Sequence, residues 1–270
     1  MDQHKALTTP TLLCLWRDYL GLELCEHDGF LYIFERNFNY IAYPPYGEGD
    51  LVQALKNIKE YQKSKFGKNL IICINENQKN QFEKLGFTVN EDENRHEYVY
   101  LSENLAYLEG KKYHKKRNHI SNFKKNYDYE YQKIDSSNFS EVTGFLEKWY
   151  AERMDSMTAE LKHEKQALLN FIEFIDKINY KAAIIKVNNE VAAFTAGEII
   201  ADDMAVIYFE KATEQYKSVY PVINNEFILN EFIGIKYINR QEDLGIEGLR
   251  RAKKSYYPEF LVKNYTMESY

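Results

Sequence analysis

At 270 residues the chain has room for one large or two modest domains, each able to bury its own core. Its formal net charge of −6 argues against a protein that coats nucleic acid over its whole surface, though it leaves room for a local basic patch. No run approaches the roughly 18 apolar residues of a membrane span, and the N-terminus MDQHKALTTP lacks a signal-peptide core, so a cytoplasmic location without a transmembrane segment is expected. Cys14, Cys25 and Cys73 form no CxxC pair, and their odd number suits a reducing compartment. The six histidines show neither HxxxH spacing nor Cys neighbours, so no metal site is expected.

Thr9-Pro10 reads as an N-cap and first helical position, opening a helix through Leu12, Leu13, Leu15, Trp16 and Tyr19. Phe30–Phe34 and Asn39–Tyr43 read as paired strands, and the prolines of the following YIAYPPY segment as a strand stop. Asp50 caps a helix ending near Gly67, Leu70–Ile74 is a short buried strand, and a further helix stops at Gly86. Thr88–Leu101 is expected to form a hairpin across the polar tract Asn90–Asn94.

The second half starts near Leu105. Gly110–Asn126 carries Lys111, Lys112, Lys115, Lys116, Arg117, Lys124 and Lys125 with no acid among them. Tyr129–Ile134 is a strand, Phe139–Met154 a helix, and a second helix runs from about Glu164 to Ile178. Three strands follow, Ala182–Val187, Val191–Ile199 and Met204–Glu210, with turns at Asn188-Asn189 and Asp202-Asp203. Tyr220–Ile235 is helical, and Phe260–Met267 is a last strand.

Between them lies KYINRQEDLGIEGLRRAKKSYYP, residues 236–258, a short strand, an acidic turn and a basic helix closed by proline. Asp243 is the expected N-cap, with Ile246, Leu249, Ala252 and Tyr256 as one buried stripe. Arg250, Lys253 and Lys254 are then expected on the opposite face, where they would hold a polyanion.

The block from Asn239 through Asp243-Leu244-Gly245 and Leu249–Lys253 to Ser255–Pro258 resembles the C-terminal motif of the phosphatidylglycerol lysyltransferase C-terminal domain family, and Gly110–His119 supplies a second matching block. The second half's order, strand, two helices, three meandering strands, helix, strand, helix, strand, resembles the GNAT acyltransferase fold; the first half gives a shorter version. The resemblance implies a mixed α/β (α+β) fold of two tandem GNAT-like domains, each a central sheet flanked by helices. The expected division is a degenerate N-terminal domain at 1–104 and a site-bearing domain at 105–270. No residue-level repeat relates the halves, so a single mixed α/β domain with an N-terminal extension is the rival reading.

GNAT enzymes hold the pyrophosphate of acetyl-CoA on a glycine-rich loop leading into a helix, because close backbone approach and a helix N-terminus suit phosphate. Here that place reads Glu214–Pro221, EQYKSVYP, with no glycine. The lysyltransferase family and the related Fem-type aminoacyltransferases use aminoacyl-tRNA instead. The resemblance therefore implies an acyltransferase that moves an aminoacyl group from tRNA to a soluble acceptor or lipid headgroup, with no bound cofactor. Acyl-CoA as donor and a non-catalytic nucleotide- or headgroup-binding module are the alternatives.

On this reading Lys111, Lys112, Lys115, Lys116 and Arg117 face the nucleic acid, and Tyr113 or His114 stacks on an unpaired base. Tyr256 is the candidate acid, with Glu242 and Asp243 orienting an attacking amine. Arg240, Lys217, Asn224, Arg250 and Lys253 are candidate substrate ligands.

Overall fold

The computed structural model describes residues 5–154, 158–173 and 180–268. Helix α1, Pro10–Leu20, starts as its residues dictate: the Thr9 hydroxyl accepts from Leu12 N, and Gly21 ends it in the left-handed region. Two antiparallel strands follow, β1 at Leu22–His27 and β2 at Phe30–Glu35, turning through Asp28 and Gly29 at positive φ. The sequence LELCEH of β1 is mostly exposed, which is why alternation did not mark it.

Short strands β3, Ile41–Ala42, and β4, Tyr46–Gly47, both pair with β2. Helix α2, Leu51–Ser64, is capped by Asp50, and α3, Glu76–Lys84, by an Asn75/Gln78 capping box. Strand β5, Ile71–Ile74, lies between them in the chain, and β6 is Val89–Glu91.

The expected hairpin at Thr88–Leu101 does not form, because β6 and β7, Glu97–Leu101, belong to different sheets. Helices α4, Ser102–Tyr107, and α5, His114–Asn126, lead to strand β8, Tyr129–Lys133. Helices α6, Phe139–Ala151, and α7, Ala159–Glu173, come next; α7 begins earlier than expected, and its expected end at 174–178 lies outside the described residues.

The meander β9, Lys181–Val187, β10, Glu190–Ala201, and β11, Met204–Ala212, precedes α8, Val219–Glu231. Strand β12, Tyr237–Asn239, and helix α9, Glu247–Lys254, complete the central motif. The single last strand expected at 260–267 is two, β13, Phe260–Val262, and β14, Tyr265–Met267.

One sheet runs β1-β2-β3-β5-β14-β6, with β4 also on β2; the other runs β13-β7-β12-β11-β10-β9-β8. Thus β7 leaves the first half to join the second sheet, and β14 returns from the C-terminus to fill the first, so sheet membership crosses the 104/105 division in both directions. Strand β9 shows why the second sheet is buried on both faces. Ala182 and Ile184 face the core shared with α1, α6 and α7, while Ala183, Ile185 and Val187 face that of α4, α5 and α8. A third core lies under α2 and α3.

Candidate active site at the parted strands

Strands β11 and β12 pair in parallel only over Met204–Val206 and Tyr237–Asn239. Beyond Val206 they part, and the backbone edge of β11 loses its neighbour. Gln241, in the left-handed region, fills part of the opening: its amide donates to the carbonyls of Ile207 and Tyr208 at 2.8 and 3.0 Å.

Arg240 lies at this opening, beneath Tyr100 and Tyr256, with its guanidinium carbon 5.0 Å from the Tyr256 ring centroid. Its Nη2 pairs with Glu210 at 2.5 Å, and Asn224 on α8 donates to the other Glu210 oxygen at 3.1 Å. Nε and Nη1 are buried and have no hydrogen-bond partner among the described residues. Burial opposes the charge, but Glu210 outweighs it and keeps the guanidinium firmly protonated. A buried cation with two idle donors is prepared for an anionic or carbonyl oxygen.

Tyr256 is buried, and burial pushes its hydroxyl up to about 12 although Arg240 opposes the rise, so it keeps its proton at neutral pH. Lys116 reaches in from α5, 3.8 Å above the same ring. Burial and then Arg240 lower Lys116 to about 8. Arg240, Asn224, Tyr256 and Lys116 thus converge from four elements, whereas Lys217 is exposed on the loop before α8. That helix begins at Ser218, in the left-handed region, with no side-chain cap; His119 of α5 meets the Ser218 hydroxyl at 3.1 Å.

The turn beyond Arg240 is held from below. Lys253 donates to the carbonyls of Arg240, Gln241 and Glu242, the last two at 2.9 and 2.7 Å. Burial and Arg240 lower it to about 8. It is 8% exposed, whereas Ile246 and Leu249 of the expected apolar stripe are 56% and 37% exposed, so Lys253 takes the inward place on α9, Lys254 stays exposed and only Tyr256 of that stripe is buried. The reason is the three inward-pointing carbonyls, which need a donor more than the core needs an isoleucine.

Asp243 does not cap α9, whose N-cap is Ile246. Its fully buried carboxylate receives Tyr98 Oη at 2.6 Å, Arg250 at 2.7 and 3.0 Å, and Gly245 N at 2.8 Å. Burial pushes the carboxyl up, yet these donors outweigh it and hold it down at about 2. Asp243 and Arg250 therefore saturate one another and brace the turn, and Lys253 is likewise committed to its carbonyls.

Glu242 lies on the other side of the opening. It lines a cavity of about 320 Å³ between the two sheets, together with Gln241, Glu35, Tyr43, Arg95 and residues of α1. Burial raises the Glu242 carboxyl, and its Oε2 has no hydrogen-bond partner among the described residues. Sequence reasoning missed Glu210, Gln241, Glu35 and Tyr98. Glu210 carried a readable signal, an acid ending the apolar strand MAVIYFE.

The basic helix divides. Lys111, Lys112 and Lys115 are exposed, Lys116 turns inward, and Arg117 caps the preceding turn through the carbonyls of Leu108 and Gly110. Tyr113 cannot stack on a base: it is fully buried, edge-on beneath Tyr257. Tyr257 is 47% exposed, with Lys112 5.4 Å from its ring, and is the accessible aromatic there.

Residues 1–268 match the family described as phosphatidylglycerol lysyltransferase, C-terminal. The chain belongs to that family. Its architecture is the tandem GNAT-like one, two mixed sheets flanked by helices. A conserved protein of unknown function from Bacteroides thetaiotaomicron VPI-5482 has a TM-score of 0.85 at 31% identity, covering 95% of this chain and 88% of that one. L-PGS from Bacillus licheniformis shares the fold at a TM-score of 0.62 and 13% identity, over 97% and 92% of the two chains. FemX does so at 0.62 and 10%, over 98% and 92%. Among curated proteins, uncharacterized protein MYCGA3080 of Mycoplasmoides gallisepticum (strain R(low / passage 15 / clone 2)) is 25% identical over 178 residues, 63% of this chain. The chain spans 55% of that relative's length. Membership places the chain among acyltransferase-like proteins. None of its described helices is long and apolar enough to cross a membrane.

Proposed function

We propose that the chain transfers an aminoacyl group from aminoacyl-tRNA to an acceptor. The observation that carries this reading is Arg240, a buried guanidinium with two unengaged donors at the mouth of the parted strands. The glycine-free loop before α8 disfavours a wrapped diphosphate, while the exposed Lys111, Lys112 and Lys115 offer phosphate contacts and Tyr257, with Lys112 over its ring, offers a stacking platform. The ester end of the donor enters over Tyr256, Arg240 holds the carbonyl or terminal phosphate oxygen, and the protonated Tyr256 hydroxyl gives its proton to the departing ribose oxygen. Asp243 and Lys253 position this turn without touching substrate.

Filter binding of charged and uncharged tRNA across a salt series tests the donor. Replacing Lys111, Lys112 and Lys115 together by Ala should lower the slope of log K against log salt by about 2 to 3. An unchanged slope, or no binding at low salt, removes tRNA from the reading.

Acyl-CoA as donor is the second reading, and the uncapped N-terminus of α8 is the observation in its favour. A thermal-shift titration separates the two, since CoA at one hundred times its Kd stabilises by roughly 2.7 kcal/mol.

A further inference from the structure

The cavity between the sheets has a chemistry unlike that of the Arg240 face. Its wall is apolar and aromatic, with Leu12, Trp16 and Tyr19 from α1, Phe38 from the turn after β2 and Ile41 from β3. Its floor carries two carboxylates. Glu242 Oε2 is shut off from solvent and accepts no hydrogen bond from the described residues, and Glu35, 5% exposed, accepts one from Tyr43 Oη at 2.7 Å. Two cations act on Glu242: Lys253, whose ammonium is committed to three backbone carbonyls, and Arg95, which is also within coulombic reach of Glu35 and already has Asp92 at 3.5 Å. The nearby ammonium of Lys5 donates to the Cys73 carbonyl at 2.5 Å.

The floor therefore holds an excess of acceptors over donors inside an apolar enclosure. A phosphate or carboxylate would meet repulsion from both glutamates, and an alcohol would offer neither of them a charged donor. An ammonium corrects both defects at once. The volume falls within the range of small-molecule sites.

We infer that this cavity is the acceptor site, and that the acceptor is a primary amine carried on an apolar or aromatic body, with its ammonium seated between Glu35 and Glu242. The inference rests on the acyl-transfer reading and deepens it. The amine nitrogen attacks the ester carbonyl carbon across the opening beside Gln241. A C–N bond forms, the C–O bond to the ribose breaks, and the product is an amide. Of the three ammonium protons, one passes to Glu242 and on to solvent, one ends on the ribose oxygen by way of Tyr256, and one stays on the amide nitrogen.

Binding can be measured without any donor, so its outcome is separate from that of the tRNA experiment. Trp16 lies in the cavity wall, and its fluorescence reports occupancy, with Trp16→Phe identifying its contribution against Trp149. Hexylamine should bind the full chain roughly tenfold or more tighter than hexanol, as expected for one hydrogen-bonded charge, and hexanoate should not compete. Glu242→Gln and Glu35→Gln should each weaken hexylamine by a similar factor while leaving hexanol unchanged. The inference is overturned if hexanol binds as well as the amine, if hexanoate binds more tightly, if none of the three binds, or if neither substitution alters hexylamine affinity. Lysine ethyl ester, a stand-in for the aminoacyl end, should compete no better than hexylamine. Tighter competition would give the cavity to the donor and likewise overturn the assignment.

Discussion

Helices α2 and α8 occupy equivalent places in the two halves, yet their first turns are used differently. Before α2 the chain reads Gly47-Glu48-Gly49-Asp50, and the Asp50 carboxylate accepts from Gln53 N, so an acidic side chain already occupies the helix end. The glycines there serve packing: a Cβ on Gly47 would lie 2.0 Å from the Gly29 carbonyl oxygen. Before α8 there is no glycine and no side-chain cap, and the nearest polar groups are Ser218 and His119. The glycines of the first half thus mark close backbone contact, while the uncapped helix, the idle guanidinium and the parted strands all belong to the second.

The largest effect that would break this contrast is at Arg240. Arg240→Ala leaves Glu210, a half-buried carboxylate, with Asn224 as its remaining donor, which should cost about 3 kcal/mol in urea unfolding. It should also lower single-turnover transfer from charged tRNA by about a hundredfold or more. Full transfer by the weakened protein would put the reaction elsewhere.

Asp243→Asn is the next largest. It removes the ion pair with Arg250 and should cost about 2 kcal/mol near neutral pH. The sign follows from the folded value of about 2 lying below the ordinary 3.8. The contribution is fully present above 3.8 and disappears as pH falls toward 2, so the urea midpoints of wild type and variant should converge over that interval. A gap that stays constant with pH would show that the charge of Asp243 is not what braces the turn.

Asp50→Ala should have the smallest effect, about 1 kcal/mol from loss of the α2 cap, with transfer unaltered. A fall in transfer would show the N-terminal end of α2 taking part in the chemistry.

Much of the frame was readable from residue patterns, because Thr9-Pro10, Asp50, the Asn188-Asn189 turn and the apolar runs of β5 and β9 each state their local structure. The destination of a strand is not a local property. EYVYL reads as the return of a hairpin, and only packing against β12 and β13 draws it to the second sheet. In the site, Arg240 and Tyr256 were legible from one family block, Lys116 from the other as a nucleic-acid contact and Asn224 from its place after the glycine-free loop, and the structure brings them together. Lys253 and Asp243 misled because periodicity assumes that lysine seeks water and that an acid before a helix caps it. Here a knot of inward carbonyls and an arginine one turn on outbid both habits.

The traffic of β7 and β14 between the sheets makes the molecule resemble a clasp. Cutting the chain near residue 104 would take with β7 the central partner of β12 and β13, and clipping the last few residues would open the first sheet between β5 and β6. Each half thus carries a structural part of the other, which ties the wall of the cavity between the sheets to the cleft at Arg240 in one cooperative unit.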